Sequence, residues 1–136
     1  MSDPSSSPDG EVATKKTLVL VVEDEPELRE VVCSVLEDEG YEVASASDGR
    51  RALQMVEEAC PSLIILDMGL PIMGGEEVAA KLHEMLSTVP PILVMSAAGT
   101  VAERARRIGA TGFVAKPFDL DDFTAAVRAV LVTTAH

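Results

Sequence analysis

Residues 18–27 read LVLVVEDEPE: five apolar residues run directly into three consecutive carboxylates, Glu23, Asp24 and Glu25. Valine, which is β-branched, dominates the run from Leu18 to Val22, and this predicts a short strand buried on both faces. One acidic residue at a strand end marks an exit to solvent. Three side by side repel one another, a cost that a bound cation removes. The rest of the chain has to supply the reason for a cation.

Working outward, EPELREVVCSVLEDEG carries Leu28, Val31, Val32, Val35 and Leu36 at the spacing of an amphipathic helix, closed by Gly40. YEVASA reads as a second strand. SDGRRALQMVEEACP then sets Ala52, Leu53, Val56 and Ala59 on one helical face, with Ser47 or Asp48 as cap and Pro61 beyond the end. SLIIL is a third strand, ending at Asp67. After the loop MGLPIMGG a helix bears Val78, Leu82 and Met85, and PPILVM is a fourth strand ending at Ser96. Val101, Ala105 and Ile108 mark a short fourth helix closed by Gly109, and GFVA is a fifth strand ending at Lys116. Asp119 caps a last helix whose stripe is Leu120, Phe123, Val127 and Leu131 and which is expected to end near Val132.

Five strands alternating with five helices give an α/β fold, a doubly wound parallel sheet with helices on both faces, because right-handed crossovers place them there. In such a sheet the carboxyl ends of the strands share one edge, and ligands bind in the crevice at that edge. Glu23 with Asp24, Asp67, Ser96 and Lys116 all stand at strand ends, so residues distant in sequence converge. Their chemistry is specific. Carboxylates at 24 and 67 with one more beside them form a hard oxygen site suited to Mg²⁺. Ser96 offers a hydroxyl donor and Lys116 a compact positive charge that binds phosphate. Such donors gathered around a carboxylate are what a phosphoryl group requires, with Asp67 as nucleophile forming an aspartyl phosphate.

Composition removes several alternatives. The 136 residues fit one domain, and 47% hydrophobic with 25% charged residues is ordinary for a globular chain. A net charge of −12, with only one Tyr, three Phe and no Trp, argues against nucleic acid and anionic membrane surfaces. No apolar run is long enough to span a bilayer. The start, MSDPSSSPDGEVATKK, lacks the apolar core of an export signal and reads as a disordered tail over residues 1–16, which places the chain in the cytoplasm. Cys33 and Cys60 have no metal-ligand spacing and read as small buried residues; His83 and His136 read as surface.

LVVEDEP, LIILDMGLPIMGG, VMSAAG and GFVAKPF together resemble the receiver domain of two-component response regulators, over residues 17–132. The resemblance implies the flavodoxin-like receiver fold, strand order 2-1-3-4-5, and phosphoryl transfer from a sensor histidine kinase or a histidine phosphotransfer protein. It puts the phosphoacceptor at Asp67, the direct metal ligand at Asp24, and a water-mediated one at Glu23. The backbone carbonyl of Gly69 is implied as a further ligand, with Mg²⁺ as the cofactor and Mn²⁺ tolerated. It assigns phosphoryl contacts to Ser96, Lys116 and the backbone of Met68 and Ala97, a switch to Ser96 and Phe113, and a cis peptide to Lys116–Pro117. Residues 133–136 are left as a short tail, so a stand-alone receiver is expected, similar to the chemotaxis response regulator. It would not be an enzyme acting on a separate substrate. It would act through an unidentified downstream protein, as a monomer or a weak phosphorylation-dependent dimer.

Three departures from the family pattern stand out: Glu23 replaces the commoner Asp, Phe113 has no hydroxyl, and the span from Ser96 to Phe113 is short by about half a helical turn. A flavodoxin-type cofactor site would need a Ser/Thr/Gly phosphate loop where EDEPE stands. A dehalogenase-type phosphatase would need a second Asp where Gly69 stands. A receiver-like module without phosphate chemistry would not need all the chemical residues that are present. Arg104, Arg106 and Arg107 cluster on the fourth helix of an acidic chain, a charge run that reads either as solvated surface or as a docking face.

Overall fold

The apolar runs form the strands they predict: β1 Leu18–Val22, β2 Glu42–Ala46, β3 Leu63–Asp67, β4 Ile92–Ala97 and β5 Gly112–Lys116. Between and after them lie α1 Pro26–Asp38, α2 Gly49–Glu58, α3 Gly75–Met85, α4 Val101–Ile108 and α5 Leu120–Thr134. The computed structural model of the protein describes residues 17–70 and 72–134. The tail expected over residues 1–16 lies outside these, as do the last two residues. All pairings are parallel and the order is β2-β1-β3-β4-β5, the 2-1-3-4-5 arrangement.

Side chains alternate across a strand, so each central strand feeds two cores. Val19, Val21, Leu63, Ile65, Leu93 and Met95 pack with Val32, Leu36, Phe123 and Val127 of α1 and α5. Leu20, Val22, Ile64, Leu66 and Val94 pack with Ala52, Val56, Val78, Leu82, Val101 and Ala105 of α2, α3 and α4. This explains why β1 and β3 read as unbroken apolar runs. Each fully buried Val, Leu or Ile contributes about 1.5–3 kcal/mol.

Local chemistry fixes the helix starts. Pro26 opens α1, where its missing N–H costs nothing. Asp48 caps α2 by accepting from the Arg51 N–H (2.8 Å), and Asp119 accepts from the Asp122 N–H (2.7 Å) at α5. Gly109 ends α4 in the left-handed conformation, φ 72°.

The helical stripes are narrower than predicted. Val31, Met85 and Leu120 are exposed, and Val130 is buried. The first turn of α5 lies at the carboxyl edge of the sheet, where no strand remains to cover Leu120. Helix α5 also continues through Thr134, past the expected end at Val132, with the Thr133 hydroxyl donating to the Ala129 carbonyl (2.8 Å). Cys60, expected in the core, is exposed because it falls in the loop after α2; Cys33 is half-buried, and both thiols are free.

Candidate functional site

Strand parity decides which side chains meet at the carboxyl edge. Glu23 continues the series Val19, Val21; Asp67 continues Leu63, Ile65; Lys116 follows Val114. All three series face the α1/α5 core. Ser96 continues Ile92, Val94 and so stands on the α3/α4 side. Adjacent register brings the four ends together: Asp67 is opposite Met95, Ser96 opposite Ala115, and Ala97 opposite Lys116.

On the α1/α5 side, Lys116 Nζ lies 3.2 Å from Glu23 Oε1 and 3.2 Å from Asp67 Oδ1. Glu23 is only 1% exposed and Asp67 4%, so both carboxylates need partners. The Glu25 N–H donates to Glu23 Oε2 (3.1 Å), and the Gly69 N–H donates to Asp67 Oδ1 (3.0 Å). Arg29 Nη1 donates to the carbonyls of Glu23 (2.9 Å) and Asp24 (3.4 Å), fixing the acidic turn from below. Burial pushes the Glu23 carboxyl up to about 7; the Glu25 amide and Lys116 oppose that rise, and the Asp67 charge adds to it. Burial disfavours the charge on Lys116, but Asp67 and Glu23 outweigh it and hold the ammonium above its usual range.

On the α3/α4 side, one guanidinium connects several elements. Arg104 Nε and Nη2 donate to Glu76 Oε2 (2.9 Å) and Oε1 (3.0 Å) of α3. Nη2 also donates to the Met68 carbonyl (2.9 Å), and Nη1 to Ser96 Oγ (3.3 Å). The hydrogen bond from Arg104 holds the Glu76 carboxyl below its usual range, against a smaller opposing effect of burial. Ser96 is 5% exposed. Gly75, at the start of α3, presses on the residue after Asp67: a Cβ there would collide with Met68 Sδ and leave 3.0 Å to Met68 Cα.

The comparisons with known proteins agree with this arrangement. Residues 19–128 match the family model described as the response regulator receiver domain. The chain belongs to that family. Response regulator receivers are signalling domains of two-component systems. The transcriptional regulatory protein KdpE of Mycobacterium tuberculosis is 38% identical over 117 residues, covering 85% of this chain and 51% of KdpE. The chain thus spans about half the length of the curated relatives it matches. Among solved structures, the chemotaxis response regulator CheY4 of Vibrio cholerae has a TM-score of 0.78 at 34% identity, covering 85% of this chain and 99% of CheY4. The receiver domain of NtrX from Brucella abortus has a TM-score of 0.78 at 31% identity, covering 85% of this chain and 99% of that one.

The receiver's acidic pocket fits a divalent cation. Glu23, Asp24 and Asp67 each offer a carboxylate oxygen, and these oxygens lie within 4.8 Å of one another. An all-oxygen, carboxylate-rich donor set suits Mg²⁺, which keeps several waters and takes few protein ligands. The two buried members of this trio share a single Lys116, so the cluster carries more negative charge than its partners neutralise. The peptide bond between Lys116 and Pro117 is cis.

Several residues of the receiver take positions the sequence did not specify. The Met68 N–H is committed to the Met95 carbonyl (3.0 Å), so the backbone amide aimed at the Asp67 carboxylate is that of Gly69. Phe113 is 48% exposed on β5. Of the three α4 arginines, Arg106 and Arg107 face solvent, whereas Arg104 turns inward. Helical phase carried this signal: Arg104 lies about 60° from buried Val101, but Arg106 and Arg107 lie about 140° and 120° away. Its partner Glu76, 28 residues away, left no trace in the sequence.

Proposed function

We propose that this receiver accepts a phosphoryl group on Asp67 from the phosphohistidine of a sensor histidine kinase or histidine phosphotransfer protein, in a Mg²⁺-dependent step. The observation that carries the reading is the convergence of Glu23, Asp24, Asp67 and Lys116 at one strand edge. The Gly69 amide and Lys116 both engage Asp67 Oδ1, which leaves Oδ2 as the attacking oxygen. That oxygen forms a bond to phosphorus as the phosphorus–nitrogen bond breaks and the imidazole leaves with the electron pair. Lys116, already against the carboxylate, follows the charge onto a phosphoryl oxygen, and Ser96 donates its hydroxyl to another. A bound Mg²⁺ would supply the neutralisation that lets a dianionic group approach this acidic edge, with Glu23, Asp24, Asp67 and the Gly69 carbonyl as its holders. A cleft of about 400 Å³ beside Lys116 is lined by Leu28, Ala97, Pro117 and Phe118, and in this reading it is the side from which a phosphodonor approaches.

Phosphorylation adds about −1.5 to −2 charge next to Ser96 and Lys116. In this reading Ser96 moves toward the phosphoryl group, Phe113 turns in behind it, and a protein partner reads the change on α4, β5 and α5. Half-exposed Phe113 and the solvent-facing Arg106 and Arg107 support that face. For these 136 residues the net charge of −12 favours a protein over nucleic acid as the direct partner. The transcriptional role named for KdpE belongs to a chain about twice as long. No helix among the described residues is long and apolar enough to cross a membrane, and we place the reaction in the cytoplasm.

The test is labelling by acetyl phosphate. Wild type with Mg²⁺ should gain base-labile phosphate, and Asp67→Asn, nearly isosteric but not nucleophilic, should gain none while keeping its fold. Undiminished labelling of the variant overturns the assignment.

A further inference from the structure

Arg104 carries chemistry beyond a docking charge. Its four hydrogen bonds, two to Glu76, one to the Met68 carbonyl and one to Ser96 Oγ, use four of the five N–H donors of a guanidinium. The pairing with Glu76 is bidentate, which fixes the plane of the group. The Met68 contact ties that plane to the residue immediately after Asp67. Nη1 meets the Ser96 hydroxyl at 3.3 Å.

A serine hydroxyl has one proton and two lone pairs. Arg104 fills a lone pair on Ser96, so the proton is left for a different acceptor. A hydroxyl that accepts from a cation is polarised and donates more strongly. Ser96 is 5% exposed, so little water competes for that role. We infer that Arg104 is a positioning residue: it holds the Ser96 hydroxyl with its proton directed at the phosphoryl group on Asp67, and through Glu76 it couples that hydroxyl to α3. The inference rests on the phosphoacceptor reading above. Lysine is no substitute, because one ammonium cannot present the planar fork that Glu76, Met68 and Ser96 share.

The experiment is a double-mutant cycle read by calorimetric titration of beryllofluoride in saturating Mg²⁺. Arg104→Gln in the wild-type background should weaken beryllofluoride binding about tenfold, the scale of one charge-assisted hydrogen bond. In the Ser96→Ala background the same substitution should change affinity by less than about twofold, because the group it acts through is gone. Equal weakening in both backgrounds, or none in the wild-type one, overturns the inference. Thermal melts accompany each variant. If Arg104→Gln fails to fold, Glu76→Gln takes its place, since it frees the guanidinium without removing it. Its expected effect is about threefold, again abolished by Ser96→Ala; an effect that survives, or no effect at all, is contrary. Wild type that takes up no beryllofluoride would remove the phosphoacceptor reading, and this inference with it. Wild type that binds, with additive or silent variants, removes this inference alone.

Discussion

On the α1/α5 side of the strand edge, Glu23, Asp67 and Lys116 are set by strand parity, and the two carboxylates are almost fully buried. On the α3/α4 side, Ser96 is held by one guanidinium that reaches across two helices and is itself 29% exposed. The first half concentrates charge in a buried setting. The second depends on a shared, partly solvated contact between α3 and α4. On the reading proposed above, the chemistry belongs to the first half and its readout to the second.

If that division is right, removing a partner should cost far more in the first half than in the second. Lys116→Met strips Glu23 and Asp67 of their shared cation and should cost about 3 kcal/mol at pH 8, measured by denaturant unfolding in metal-free buffer. At pH 5 the loss should be smaller, because Glu23, with its carboxyl pushed up to about 7, is then protonated and needs no cation. An equal loss at both pH values would mean that the buried charge is not what Lys116 offsets.

The pH profile of the metal-free wild type tests the same half without disturbing the lysine. The folded pKa of Glu23, about 7, lies above its ordinary value of 4.5, so between these values the folded state holds a proton that the unfolded state releases. The contribution of Glu23 is fully present below about 4.5 and is lost as pH rises through about 7, by something on the order of 3 kcal/mol. Glu23→Gln should flatten that slope relative to wild type; parallel profiles would place the titration elsewhere.

Asp24 is exposed, so relieving its repulsion with the buried carboxylates should gain only about 1 kcal/mol. Asp24→Asn should therefore raise the metal-free melting temperature slightly and weaken Mg²⁺ binding. Unchanged values of both would remove it from the ligand set. In the second half, Glu76→Gln should cost no more than about 0.5–1 kcal/mol, since the pair is 29% and 36% exposed and solvent screens it. A loss as large as that of Lys116→Met would erase the distinction between the halves.

The same contrast separates what the sequence discloses from what it hides. Strand ends are legible because unbroken apolar runs stop abruptly at polar residues, and parallel topology brings every carboxyl end to one edge. Asp67, Glu23 and Lys116 could therefore be read at once, and so could Ser96. The hydroxyl's neighbour could not: Arg104 sits in a run with Arg106 and Arg107, and only helical phase separates it from them. Helix ends were less legible than helix faces. The stripe of α5 shifts from Leu120 and Leu131 toward Val130, because burial depends on where the sheet stops beneath it.

The central claim is that the carboxylate facing Lys116 and the Gly69 amide is the one that takes phosphorus. It is tested most directly by treating the protein with acetyl phosphate and Mg²⁺, reducing with borohydride, and mapping the peptides. Reduction converts an acyl phosphate to the alcohol at the residue that carried it. The account predicts homoserine at position 67, dependent on Mg²⁺, and at no other aspartate; homoserine at Asp24, or no conversion anywhere, would contradict it.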